Sequence, residues 1–284
     1  MVMNYFTLDG HSTSEWGIGL SGTGVWDAPA RKGESISVPG RNGNIWVDDG
    51  SFENVLLTYP CWMSEDFDTN IDGFRAFLAL HSDKYYELRD TYHPGEYRLA
   101  RYAGPFTAEP GTRNKSGRMD VTFDCMPQRF LNAGYTWREL EIPDIDPSEA
   151  VATLFSEENP TGFSCAPVLM AELNANALFG FSVRNDEHNT YVNFIIGDNT
   201  TRPVAGTCYY IDLQNFIMRE GTTANDPNWE SLPASTVPLL INFPDWDSSN
   251  GQALFLEGVN VVNNRTIPHT NLEKVSILTR YWTI

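Results

Sequence analysis

Apolar and polar residues alternate strictly from Arg118 to Cys125, with Met119, Val121, Phe123 and Cys125 set against Arg118, Asp120, Thr122 and Asp124. A period of two sends successive side chains to opposite faces, so this stretch predicts a strand with one face in a core. The same period marks Phe52–Pro60 through Val55, Leu57 and Tyr59, and Asn4–Leu8 through Phe6 and Leu8. Ile71, Phe74, Phe77, Leu78 and His81 recur instead at helical spacing, which predicts a helix capped by Thr69 or Asn70 and laid over the sheet. Tyr85–Arg89 and Tyr97–Tyr102, joined by a turn from Asp90 to Tyr97, complete an antiparallel β domain with one helix over residues 1–138.

From Glu139 to Pro160 the chain is acidic and carries Pro143, Pro147 and Pro160, the composition of an interdomain linker. Residues 161–284 then read as short strands separated by polar turns. Pro167–Leu173 and Ala177–Val183 flank Asn174-Ala175-Asn176 as a hairpin. Tyr191–Ile196, Cys208–Leu213, Phe216–Arg219, Thr236–Phe243, Gln252–Glu257 and Lys274–Trp282 follow. That spacing predicts a β-sandwich, making the whole chain mainly β.

One hairpin departs from this core pattern. Asn42-Gly43 suits a two-residue type I′ loop, in which both residues need positive φ. Counting outward pairs Arg41 with Asn44, Gly40 with Ile45, Pro39 with Trp46 and Val38 with Val47. One face of this ribbon is then apolar (Ile36, Val38, Ile45, Val47) and the other mostly polar (Ser37, Arg41, Asn44, Asp48). Pro39 cannot donate to a ladder, so the arm lies at a sheet edge or leaves the sheet. It either meets a partner or folds back on its own core. Asp48-Asp49-Gly50 predicts a further turn after it.

The charge narrows the partners. The formal net charge is −18. Residues 1–138 contribute −5, 139–160 contribute −7 and 161–284 contribute −6, so no segment offers a basic surface to nucleic acid or to an anionic membrane. Aromatic content of 13% suits sheets better than helices. MVMNYFTLDG lacks the charged and apolar regions of a secretory signal, and no apolar run reaches the roughly 18 residues of a membrane span. Cys61, Cys125, Cys165 and Cys208 are far apart with no C-x-x-C, as expected of reduced core thiols made in a cytoplasm.

Candidate chemistry is sparse. Gly17-Ile18-Gly19-Leu20-Ser21-Gly22 has the letters of a dinucleotide fingerprint, but Thr23–Pro29 cannot begin the helix that must follow. Asp245–Gly251 begins like a calcium loop but has Asn250 and Leu256 where Gly and Glu are required. His11, His81, His93, His188 and His269 show no metal-ligand spacing, and no nucleophile elbow or phosphate loop occurs. We therefore expect no catalytic residues, no cofactor, no metal site and no enzymatic activity. Trp229 and Trp246, in polar loops of the sandwich, are candidates for stacking on sugar rings.

The chain resembles the distal tail protein (Dit) family of siphophages. In the first half the resemblance rests on Val38–Gly43, Asp48–Gly50, Leu88–Pro94 and Phe123–Phe130. In the second it rests on Glu158–Thr161, Tyr210–Leu213, Leu256–Asn260 and Leu278–Trp282. The stretch from Gly221 to Trp246 is longer and richer in proline than the family pattern. The resemblance implies a virion structural protein of virus or prophage, located at the tail tip after assembly in the host cytoplasm. It implies a hexameric homo-oligomer ring of N-terminal domains, with galectin-like or carbohydrate-module-like sandwiches outside. Implied partners are the tail tube protein, the tail-tip hub protein and receptor-binding or baseplate proteins. The alternative is a carbohydrate- or receptor-binding tail module acting through the sandwich. The ring reading makes Val38, Pro39, Arg41, Asn42, Asn44 and Trp46 the candidate oligomer contacts.

Overall fold

In a computed structural model the described residues are 3–22, 24, 26–142, 152–185, 190–198, 200–242, 259–264 and 272–284. The chain divides into two compact units, one formed by Met1–Phe130 with Ile284 and the other by Leu131–Thr283.

The first unit comprises β1 (Phe6–Leu8), β2 (His11–Ser12), β3 (Ile18–Leu20), β4 (Arg31–Ile36), β5 (Ile45–Phe52), β6 (Val55–Met63), α1 (Phe67–Leu80), β7 (Tyr86–Asp90), β8 (Glu96–Tyr102), β9 (Thr107–Pro110) and β10 (Gly117–Leu131). Its main sheet runs β2-β1-β7-β8-β10-β6-β3, with β9 also on β10. The alternation in β6 and β10 appears as expected: Val55, Leu57, Tyr59, Cys61 and Met63 are buried, and so are Met119, Val121, Phe123 and Cys125. The antiparallel register pairs Val121 with Tyr59 and Phe123 with Leu57, so the inward residues stand in rows. Phe6 closes the rows, its ring 5.3 Å from Tyr59 and 5.2 Å from Phe123.

Helix α1 covers this face with Phe67, Phe74 and Leu78; of the stripe read from periodicity, Phe74 and Leu78 are buried and Ile71, Phe77 and His81 half-buried. It starts earlier than expected, with Asp66 at the N-cap instead of Thr69 or Asn70. The cause is Phe67, whose ring lies where a Cβ on Gly117 would stand, 2.1 Å from its nearest atom. Burying that ring extends the helix, and the amides of Thr69 and Asn70 close the first turn on the Asp66 carbonyl. The Gly-rich run at 17–22 holds β3, with no helix after it.

Leu88–Pro94 gains a physical role. The Asp90 carboxylate accepts from the Tyr92 and His93 amides, from His93 Nδ1 at 3.0 Å and from the Tyr59 hydroxyl at 2.8 Å. One nearly buried carboxylate thus shapes the β7–β8 loop and anchors it to the core. Burial first, then Asp90, pushes the Tyr59 hydroxyl well above the usual tyrosine range.

The second unit is a sandwich. Its strands are β11 (Arg138–Leu140), β12 (Ala152–Glu158), β13 (Val168–Leu173), β14 (Phe179–Asn185), β15 (Thr190–Ile196), β16 (Cys208–Asp212), β17 (Ile217–Gly221), β18 (Leu239–Asn242), β19 (Val259–Asn264) and β20 (Leu272–Leu278). One sheet runs β11-β20-β13-β16-β17 and the other β12-β19-β14-β15-β18. Leu169, Ala171, Tyr209 and Ile211 of the first sheet share a core with Phe179, Phe181, Phe194 and Val262 of the second.

Two expectations fail in this unit. The supposed linker at 139–160 supplies strands: Arg138–Leu140 pairs with β20, and Ala152–Glu158 pairs with β19. Leu140, Leu154 and Phe155 are buried in the sandwich core, and this burial outweighs the acidic, proline-bearing composition around them. The hairpin expected at Asn174–Asn176 is absent as well. β13 pairs with β16 and β20, while β14 pairs with β15 and β19, so the connection crosses between the sheets. The expected strand at Gln252–Glu257 lies outside the described residues. The four cysteines are free and buried, as expected. Burial pushes Cys61, Cys125 and Cys165 up to about 12.

Candidate assembly interface

β4 and β5 form a two-stranded sheet of their own, and every residue from Ala30 to Ser51 is exposed. The ribbon is an arm and does not fold onto the core. A strand of eight residues reaches about 27 Å. An isolated two-stranded ribbon is marginal in water, so an arm of this kind calls for a partner.

The tip differs from the expected type I′ loop. The Arg41 amide donates to the Val38 carbonyl at 3.2 Å, and Gly40 has φ 80. Pro39-Gly40 therefore makes a type II turn, with Pro at its second position and positive-φ Gly at its third. Asn42 is not among the positive-φ residues, which rules out a type I′ loop at Asn42-Gly43. Asp9-Gly10 takes that geometry instead, with φ 50 and φ 80 between paired Leu8 and His11.

The register shifts with the turn. Ile36 pairs with Ile45, Ser35 with Trp46, and Glu34 with Val47. The slip from the expected pairing is four residues, an even number, so the facial alternation survives. Ile36, Ile45 and Val47 still share one face, with Glu34 beside them. Pro39 does not face Trp46; the indole lies over Gly33, where a Cβ would stand 2.6 Å from the ring. We expect Gly40→Ala, at φ 80, to destabilise the tip by about 1 kcal/mol and Asn42→Ala to change nothing beyond about 0.5 kcal/mol. Amide exchange along the arm checks both.

Asp48-Asp49-Gly50 makes a bulge within β5, not a separate turn. Arg31 pairs with Phe52 and Gly33 with Asp48, leaving Lys32 opposite three residues, with Gly50 at φ 83. Arg31 clasps the Asp48 carboxylate with Nε at 2.9 Å and Nη2 at 2.6 Å, and lies 4.6 Å over the Phe52 ring. The Arg31 guanidinium, then the Gly50 amide, hold the Asp48 carboxyl below its ordinary range. A depressed carboxyl favours the ordered form above its free value and loses that contribution as pH falls through the depressed value. Amide protection at the arm base should therefore hold at neutral pH and fall on acidification, before the core unfolds.

All six residues chosen as oligomer contacts (Val38, Pro39, Arg41, Asn42, Asn44 and Trp46) are exposed on this arm. Asn44 is held by its amide, which donates to Ser35 Oγ at 2.8 Å. Ile36, Ile45 and Val47, outside those six, are 41%, 37% and 49% exposed on one face of the arm.

The residues proposed for sugar stacking fare differently. Trp229 is 5% exposed, 6.2 Å from the Tyr210 ring in a stacked arrangement and 5.4 Å from the Arg280 guanidinium. With Val168, Met170 and Leu278 it covers the outer face of one sheet, so its indole is not open to a sugar. That packing accounts for part of the long Gly221–Trp246 stretch. Trp246 and Asp245–Gly251 lie outside the described residues. Among the described residues no group of three or more His, Cys, Asp or Glu side chains is arranged to hold a metal. No helix among them is long and apolar enough to cross a membrane.

Residues 13–125 match the phage tail protein RIFT-related domain family, a span that includes the arm, α1 and the β6–β10 pair. The first unit thus carries a phage-tail RIFT-related domain. The Dit protein of phage SPP1, described as a paradigm of the hub adsorption apparatus of phages infecting Gram-positive bacteria, has the same fold. It aligns with a TM-score of 0.57 and 9% identity over 93% of this chain and 99% of its own. A chain of the phage P2 baseplate in its calcium-activated conformation aligns at 0.48 with 14% identity over 98% and 97%. No curated protein matches the chain in sequence.

Proposed function

We propose that this chain is a Dit-like siphophage tail protein that closes into a ring of six copies at the tail tip, joining the tail tube to the tail-tip hub and its host-attachment parts. The observation that carries the reading is the arm: a ribbon with three apolar side chains on one face, none of them covered by its own unit. A contact between an arm and a different surface of the next copy is heterologous, and such contacts close into rings when the rotation allows. The role is structural, without catalysis. A net charge of −18 suits a ring that passes DNA without binding its phosphates. The reading through sugar binding loses Trp229, which is buried.

Light scattering on the purified chain, with negative-stain microscopy, tests the proposal. Six-fold mass and ring particles are expected. A monomer at every accessible concentration overturns it.

A further inference from the structure

The sheet face opposite α1 carries a groove of about 780 Å³ within the first unit. Trp62 and Arg118 stand side by side on its floor in the β6–β10 register, and Glu109 is the partner of Arg118 on β9. Pro60 and Asp120 form the next row, and Pro110 closes one end. Arg118, Glu109 and Asp120 make no ion pair or hydrogen bond among the described residues, so the groove holds two carboxylates and one guanidinium uncommitted. The arm holds the reverse set. Lys32 and Arg41 are cations without partners among the described residues, and Glu34 is a carboxylate without one, beside Ile36, Ile45 and Val47.

We propose that the groove receives the arm of a second copy of this chain, with the Ile36, Ile45 and Val47 face on Trp62, Pro60 and Pro110, and Glu34 against Arg118. The inference rests on the ring reading and adds the surface that reading leaves unnamed. Each uncommitted charge in the groove then meets an opposite one on the arm: Arg118 meets Glu34, and Glu109 and Asp120 meet Lys32 and Arg41. Pairing across an interface of this kind sets register and rejects wrong partners more than it adds affinity. Apolar burial supplies the attraction. Knob and socket lie on different parts of one unit, which gives the head-to-tail geometry of a ring.

Two changes to the full chain test this. The double variant Ile45→Cys with Pro60→Cys, mildly oxidised, should give a ladder of covalent oligomers on a denaturing gel, because the four native thiols are buried. Each of Glu34→Arg and Arg118→Glu should weaken assembly at least tenfold, and the two together should restore most of it. Rings that form without the ladder and without charge-swap rescue overturn the docking site and leave the ring reading standing. A chain that never assembles overturns both.

Discussion

Ile45→Glu with Val47→Glu is expected to abolish assembly while the chain still folds. Both side chains are exposed in the single chain, 37% and 49%, so neither contributes much to the stability of the unit. Exposed substitutions of this kind change folding by about 0.5 kcal/mol. In a contact the balance reverses. Each side chain would bring roughly 1.5 kcal/mol or more of apolar burial, and each new carboxylate would have to be desolvated against Trp62 or its equivalent. The two losses together exceed about 4 kcal/mol per contact, on the order of a thousandfold in affinity. Glu34, opposite Val47, adds like-charge repulsion on the same face. Light scattering should show monomer, and the thermal transition of that monomer should keep its cooperativity. Rings that survive both substitutions would remove the arm from the interface.

Asp90→Ala is expected to destabilise the first unit by about 3 kcal/mol. The carboxylate accepts from two loop amides, an imidazole and the Tyr59 hydroxyl. Its side chain is 10% exposed and that of His93 is 13% exposed. Removing it leaves the hydroxyl of buried Tyr59 without the acceptor it holds at 2.8 Å, at the desolvation cost of an unpaired buried donor. The comparison is Tyr59→Phe, which removes donor and polarity together and should cost about 1 kcal/mol. Urea unfolding of the full chain, with a probe in each unit, should show the shift in the first unit alone. Equal effects of the two variants would mean that the carboxylate shapes only the surface loop.

The distance between reading and structure differs by element. β6, β10 and α1 were legible because their burial follows from period alone: any strand with Val121 and Phe123 inward must put Asp120 and Thr122 outward. The faces of the arm were legible for the same reason, and they survived a wrong turn because the register slipped by an even number. Its turn was not legible. Val38-Pro39-Gly40-Arg41 and Asn42-Gly43 are both good turn sequences, four residues apart, and local propensity does not rank them. In the structure the chain reverses at Pro39-Gly40, with Gly40 at φ 80, and Asn42-Gly43 becomes part of the loop.

Composition misled at 139–160 and at Asn174–Asn176. Acid and proline mark a segment as soluble, but Leu140, Leu154 and Phe155 are what the sandwich needs to fill its core. Asn-Ala-Asn is a turn in either topology, and whether the flanking strands pair or separate into two sheets depends on strands far along the chain. Trp229 illustrates the same limit at one residue: the loop around it is polar, but Tyr210 and Arg280, brought from distant positions, bury it.

By itself the sequence determined which residues face inward in the regular strands, where helix α1 lies, the arm with its apolar face, and the family resemblance. These depend on periodicity and on short local patterns. Tertiary structure alone decided the strand roles of Arg138–Leu140 and Ala152–Glu158, the crossing between sheets and the burial of Trp229. It also assembled the groove beside Trp62 and Arg118. Each of these is a choice between locally equivalent alternatives, settled by contacts between residues far apart in the chain, whose energy no local window contains.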